Sequence, residues 1–122
     1  MAFPKLVDEA LLRSLVLPGA LNPDNFQELA SHAIVEELAP RKTLFKAGEI
    51  DRKTIYLLEG EVILSADNGQ DMVIRSGTDV AKHPLANQQP RQRTATAKTS
   101  CKFVRFDSDM LDIVLTWDQL TV

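Results

Sequence analysis

Two arginines, Arg91 and Arg93, stand two residues apart in the stretch HPLANQQPRQRTATA, residues 83–97. A guanidinium is a planar fork of five N–H donors that fits a phosphate or a carboxylate. Lys82 and Lys98 bracket the stretch and add positive charge. Pro84 and Pro90 stiffen it, and an alternation of Thr and Ala follows Arg93. The segment reads as a loop able to hold an anion, or as a connector with solvated arginines.

Little else in the chain offers reactive chemistry. There are two histidines, His32 and His83, and no His-x-His pair of the kind a cupin metal site needs. His32 belongs to a helix surface. Glu36-Glu37 and the Glu59/Glu61 pair flank predicted strands and turns and read as solvated faces. Ser65, Ser76 and Ser100 carry no nucleophile motif, and no Walker-type phosphate loop occurs. The single cysteine, Cys101, fits a small buried residue in a strand and a reducing cytoplasm. No catalytic activity, no cofactor and no metal are expected.

The totals describe one ordinary globular domain and argue against general nucleic-acid binding. The chain has 122 residues, 44% of them hydrophobic and 25% charged, with a formal net charge of −3. That length fits one domain able to bury roughly two thirds of the surface its unfolded chain exposes. An acidic balance lacks the positive field that direct nucleic-acid contact needs. No apolar run approaches the roughly 18 residues that span a bilayer, and the opening MAFPKLVDEA has no secretory pattern. A cytoplasmic protein with no membrane contact is expected.

The elements that must position the arginines follow from hydrophobic spacing. In VDEALLRSLV the apolar residues Val7, Ala10, Leu11 and Leu15 share a helical face, which Pro18-Gly19 ends. NPDNFQELASHA restarts a helix, with Asp24 as cap, Gln27 closing a capping box, and Phe26, Leu29, Ala30 and Ala33 as its buried stripe. A short continuation carries Ile34, Val35 and Leu38 and stops at Pro40. Residues 1–40 are therefore expected to be helical. From Thr43 the segments TLFKAGE, TIYLLEGEVILSA, QDMVIRS and CKFVRFD are short, β-branched or aromatic, and punctuated by Gly48, Gly60 and Asp67-Asn68-Gly69. Asn68-Gly69 is a hairpin signal because both residues tolerate positive φ. Tyr56 and Leu58 fall on one face of a strand and Ile55 and Leu57 on the other, so both faces must be covered. A last helix begins at Ser108 or Asp107, with Asp109 near its positive end and Met110, Leu111, Val114, Leu115 and Trp117 as its apolar side. An apolar stripe on the final helix points to a piece of a longer chain.

Helices, then strands cornered by glycines, then a helix, resembles the cyclic nucleotide-binding domain family. LFKAGEIDRKTIYLLEGEVIL looks like that family's first strands, through Gly48-Glu49, the acidic turn residue Asp51, Tyr56 with Leu58, Gly60 and Val62. CKFVRFDSDML looks like its last barrel strand and the start of its exit helix. The resemblance covers about Phe26 to Trp117. It implies a mainly β fold with flanking helices: a double-stranded β-helix, or jelly roll, over residues 41–107. Helices precede it, and the C-terminal helix starts at 108 and runs to 122. It also implies a ligand cassette reading Gly-Glu-Leu-Ala, then Arg-Ser/Thr-Ala. There backbone N–H groups and the Arg take the cyclic phosphate and the Glu takes the ribose hydroxyl.

Set on this chain, Leu85-Ala86 matches the cassette's Leu-Ala, which places Gly-Glu on His83-Pro84. Proline has neither an N–H nor an acceptor side chain. Arg93-Thr94-Ala95 matches the arginine motif literally, whereas counting back from Cys101 selects Arg91. The resemblance thus gives His83, Leu85, Ala86, Arg91, Arg93 and Thr94 as ligand-binding candidates with the ribose-reading half lost. It implies a sensor domain of a larger bacterial protein, with a cyclic nucleotide or another small phosphate-bearing ligand as its input. Its partner would be a following domain or a second copy, met through the C-terminal helix. The alternative is a ligand-free scaffold that works through that helix alone.

Overall fold

The computed structural model describes residues 9–16, 18–66 and 69–120. Val7, Asp67 and Asn68, singled out above, lie outside them. Among the described residues three α-helices and seven strands follow in chain order. They are α1 (Glu9–Arg13), α2 (Pro23–Ser31), β1 (Ile34–Leu38), β2 (Thr43–Phe45), β3 (Lys53–Glu59), β4 (Glu61–Ser65), β5 (Asp71–Arg75), β6 (Thr94–Ala97), β7 (Cys101–Asp107) and α3 (Ser108–Leu120), with single 3-10 turns at Pro18–Ala20 and Val80–Lys82.

The strands form two antiparallel sheets. One has the order β1-β7-β3, the other β2-β6-β4-β5. Their inner faces meet in a core built from Phe45, Ile55, Leu57, Val62, Leu64, Ile74, Ala95, Ala97, Cys101 and Phe103. The first sheet is covered on its other face as well. Tyr56, Leu58, Val104 and Phe106 pack there against Leu12, Leu15, Phe26, Leu29, Leu111 and Val114 of the helices and their connections. The two-faced reading of β3 therefore holds. The second sheet shows the opposite pattern: in β4 and β6 buried residues alternate with half-exposed ones, so its outer face meets water.

The jelly-roll expectation agrees with this architecture; three local expectations do not. Ile34–Leu38 continues no helix. It is an edge strand, paired along its length with β7 from Ile34 opposite Arg105 to Leu38 opposite Cys101. The helical segment accordingly stops before residue 34 rather than at 40. Helix α2 is capped by Asn22, whose side chain accepts from the Asn25 N–H at 2.9 Å, not by Asp24. Pro23 explains the choice: it fits the first helical turn, where its missing N–H costs nothing. Helix α1 ends at Arg13, well before Pro18-Gly19. The Thr-Ala alternation after Arg93, noted only as a pattern in the sequence, is strand β6.

The expected corners are present. Gly48 and Gly60 have φ of +92° and +95°. A Cβ on Gly60 would also lie 2.4 Å from the Ser100 carbonyl oxygen. Gly69 has φ +78°, and β4 pairs with β5 across it. At the last junction Asp107, rather than Ser108, is the side-chain cap of α3. Its Oδ1 accepts from the N–H groups of Asp109 and Met110. Those bonds, that from Met110 above all, hold its carboxyl below the ordinary value. The Ser108 hydroxyl pairs instead with Thr54 Oγ1 at 2.8 Å.

The far end of α3 is tied to α2: Asp118 Oδ1 accepts from the Asn22 N–H and from Asn25 Nδ2. Tyr56 donates its hydroxyl to the Val16 carbonyl, and burial raises the phenol's pKa. No helix among the described residues is long and apolar enough to cross a membrane.

Phe106 tests the two-sided sheet. It is fully buried and meets Tyr56 edge-on, with ring centroids 6.3 Å apart. Phe106→Ala is expected to cost about 3–5 kcal/mol in urea unfolding. A loss under about 1 kcal/mol would mean that the helices are not packed on this face.

Candidate functional site

The segment between β5 and β6 carries most of the candidate residues and is anchored to the roll at two points. Its first anchor is Leu85, which is buried in the sheet core and donates its N–H to the Ile55 carbonyl at 2.8 Å. Its second is Arg91. The Arg91 N–H donates to the Glu49 carbonyl, and the Gly48 N–H donates to the Arg91 carbonyl. These two bonds pin the end of the segment to the corner after β2.

The Arg91 side chain then runs into the protein and is 1% exposed. Its Nε and Nη2 form a bidentate fork on Asp51, both at 3.0 Å. Nη2 also donates to the Lys53 carbonyl, and Nη1 donates to the carbonyls of Leu85 and Ala86, each at 3.1 Å. The Phe45 ring lies 4.1 Å from the guanidinium carbon. A guanidinium has five N–H donors, and these five bonds use all of them.

Partial burial on its own would raise the Asp51 pKa. The hydrogen bond and charge of Arg91, with donors from the Lys53 N–H and Gln89, outweigh burial and hold the carboxyl below its usual value. Gln89 binds Asp51 from both ends of its amide: Nε2 donates to Oδ1, and Oε1 accepts from the Asp51 N–H.

Beside this buried knot lies a cavity of about 360 Å³. Leu64, Met72, Ile74 and Val80 form one wall. Pro84, Leu85, Ala86, Asn87, Gln88, Gln92 and Arg93 form the other. Its lining is mostly apolar, and Arg93 is the one charged residue in it. Ala86 has φ +36°, a left-handed conformation that costs an L residue about 1–2 kcal/mol. The bond from Arg91 to its carbonyl helps hold it there.

Of the sequence candidates, Leu85, Ala86 and Arg93 come together on this cavity, together with Pro84. The others do not. His83 is exposed and its N–H donates to the Val80 carbonyl. Thr94 Oγ1 accepts from the Ala47 N–H at 3.0 Å. Lys82 pairs with Asp79 and Lys98 with Glu61, both at the surface. With Pro84 lacking an N–H and those of His83 and Leu85 already bonded, the segment's early backbone offers no fan of free donors. Arg91 points inward but toward Asp51. Arg93 faces the cavity while donating to the Gln70 carbonyl at 3.3 Å.

Asp51 was visible in the sequence as an acidic turn residue, but its pairing with Arg91 was not. The residues of β4 and β5 that line the cavity were read in the sequence only as parts of strands. Among the described residues no group of three or more His, Cys, Asp or Glu side chains gathers into a metal site.

A roll of two sheets with a bridging segment, a cavity beneath it and an exit helix defines a class of regulatory ligand-binding domain. The sequence itself matches the cyclic nucleotide-binding domain over residues 35–116, and the chain belongs to that family. No curated protein matches it. The fold is similar to the sensor domain of the transcriptional regulator DNR from Pseudomonas aeruginosa. There the TM-score is 0.74 at 21% identity, covering 93% of this chain and 88% of that one. It is also similar to the N-terminal domain of a transcriptional regulator from Streptomyces coelicolor, with a TM-score of 0.65 at 24% identity and coverage of 89% and 80%. A third likeness is to cAMP-bound PfPKA-R, with a TM-score of 0.70 at 18% identity, over 93% of this chain and 45% of that one.

The Arg91–Asp51 pair generates a stability prediction. Removing one partner of a buried pair strands the other, at about 3–5 kcal/mol, so Asp51→Ala is expected to lower stability at pH 7 by that amount. An unfolded Asp titrates near about 3.9, and the folded value is lower. The pair's contribution is therefore complete above about pH 4 and is lost as pH falls through the folded value. The gap between wild type and variant, followed by urea unfolding, should narrow as the pH drops below about 4. The difference cancels the parallel titration of Asp107 and Asp118. A gap unchanged from pH 7 to pH 2 would mean that the carboxylate charge does not matter.

Proposed function

We propose that this chain is the regulatory, sensing module of a larger cytoplasmic bacterial protein, and that its input is a small ligand other than a cyclic nucleotide. One observation carries the proposal: all five donors of Arg91 are taken by Asp51 and by three carbonyls of the protein. A cyclic phosphate brought to the segment meets neither a free arginine fork at 91 nor free N–H groups at His83 and Leu85, and Pro84 cannot hold a ribose hydroxyl. What remains is Arg93, on the rim of a mostly apolar cavity. That lining favours an apolar body bearing one anionic group, a phosphate or a carboxylate. The module takes no catalytic part.

The response runs from the cavity to α3. Residues 84–93 are tied through Gln89 and Arg91 to Asp51, two residues before β3. Arg52 accepts the Ser108 N–H at its carbonyl, and its guanidinium lies 3.7 Å from Asp109. Thr54 holds the Ser108 hydroxyl. A ligand that shifts the 84–93 segment biases how α3 leaves the roll, a shift of population between two packings.

Helix α3 divides its apolar residues. Leu111 and Val114 are buried inside this chain and are unavailable to a partner, while Met110 and Leu115 are half-buried. Ile113, Trp117 and Leu120 are 50%, 49% and 75% exposed, and their spacing of four and three sets them on one face. That row favours contact with a following domain or a second subunit. It also supports the second reading, a ligand-free module acting through α3 alone.

Isothermal titration with cyclic AMP, cyclic GMP and cyclic di-GMP tests the proposal. No heat, and no rise in melting temperature up to about 1 mM nucleotide, is the expected result; 1 mM corresponds to about −4 kcal/mol. A micromolar dissociation constant abolished by Arg93→Ala or Arg91→Ala would overturn it. A thermal-shift screen of small carboxylates and phosphates is expected to find ligands whose stabilisation disappears in Arg93→Ala. No hit in that screen would leave the scaffold reading in force.

A further inference from the structure

We propose that β5 is a docking edge for a second copy of this chain, joined antiparallel about Val73. Strand β5 ends the four-stranded sheet, and β4 is its one strand neighbour among the described residues. Ser76 donates its N–H to the Gly60 carbonyl, one step beyond the pairing of Arg75 with Glu61. Antiparallel ladders alternate hydrogen-bonded and non-bonded pairs. Ile74 and Met72 therefore turn their backbone groups to β4. Asp71, Val73 and Arg75 turn theirs away from it; the Arg75 carbonyl already accepts from Thr78 Oγ1 at 2.7 Å and keeps its second lone pair for a partner strand.

The side chains of these three residues also share the solvent face, whereas Met72 and Ile74 look into the cavity. A long open strand edge invites pairing, and charges commonly blunt it. Here the charges are arranged so that two copies complement each other. With Val73 opposite Val73, Asp71 of each copy lies opposite Arg75 of the other, twice over.

The neighbouring strands extend the pattern. Glu61 lies opposite Arg75 on β4, with Arg75 Nε and Lys98 Nζ each 3.6 Å from its Oε2. Across the joint the order becomes Lys98, Glu61, Arg75, then Asp71 of the second copy, alternating in sign. Between the two charged rows Val73, 42% exposed, would face Val73 of the second copy, with the cross-strand partner Ile63 of each copy extending the apolar row on either side. A parallel joint would set Asp71 beside Asp71 and Arg75 beside Arg75, so the charges select the antiparallel one. The result is one eight-stranded sheet across two copies, at a surface separate from α3.

Sedimentation equilibrium from micromolar to millimolar chain tests this. The wild type is expected to dimerise. Arg75→Asp and Asp71→Arg each set like charges opposite one another twice, and each should raise the dimer dissociation constant at least tenfold. Both positions are exposed, and circular dichroism and melting check that each variant is folded. An equimolar mixture of the two variants should restore association to within a few-fold of wild type, because each strand then supplies the sign the other lacks. A wild-type chain that stays monomeric throughout would overturn the proposal. So would a dimer insensitive to both charge changes but lost in Trp117→Ala, or a mixture of variants that does not associate.

Discussion

The buried fork between Arg91 and Asp51 is the interaction on which the arrangement of the site depends. Taking a guanidinium out of water is costly unless its charge is paired and every donor is satisfied. Both conditions are met, and they are met by groups from separate parts of the chain: the corner after β2, the start of β3, and the turn at Leu85-Ala86. One side chain thereby fixes three pieces of irregular backbone relative to one another. The same completeness leaves the arginine no free donor for an external anion, and Arg93, two residues further on, is the charged residue that lines the cavity.

Strands β3 and β7 carry this arrangement to the rest of the molecule. Their sheet is covered on both faces, by the roll core on one side and by the helices on the other. Ile55 and Leu57 pack toward the cavity side, while Tyr56 and Leu58 pack beneath the helices. Close-packed interiors transmit small displacements rather than absorbing them. On the proposed reading, a change at the bridging segment would reach α2 and α3 through this doubly covered sheet.

Much of the fold was legible because hydrophobic period reports burial directly. The run TIYLL declares a strand covered on both sides, while EVILS and CKFV declare strands without saying which faces are covered. Strand β1 was not legible. Ile34, Val35 and Leu38 fit a helical spacing as well as an extended one, and only pairing with β7, nearly seventy residues later, decides between them. Strand β6 is TATA, whose small side chains give little signal of their own. Choosing between Arg91 and Arg93 failed for a related reason. Spacing by two puts both on the same side of an extended chain, and what separates them is Asp51, forty residues earlier. A charge partner so distant leaves no trace in local pattern.

The passage from β7 to α3 contains no connecting residue: Asp107 is the last residue of the strand and the cap of the helix that starts at Ser108. Such a joint has little slack. Thirteen helical residues extend about 20 Å at 1.5 Å each, so α3 is a lever whose fulcrum is welded to the central sheet. By that geometry a tilt of about 10° at Ser108 carries the far end through about 3 Å. Because Asp118 grips Asn22 and Asn25 near that far end, the swing also draws the start of α2 along with it. On the proposed reading this geometry would act as a gear: a small adjustment beneath the bridging segment would emerge at the far end of α3 as a movement large enough for another protein surface to feel.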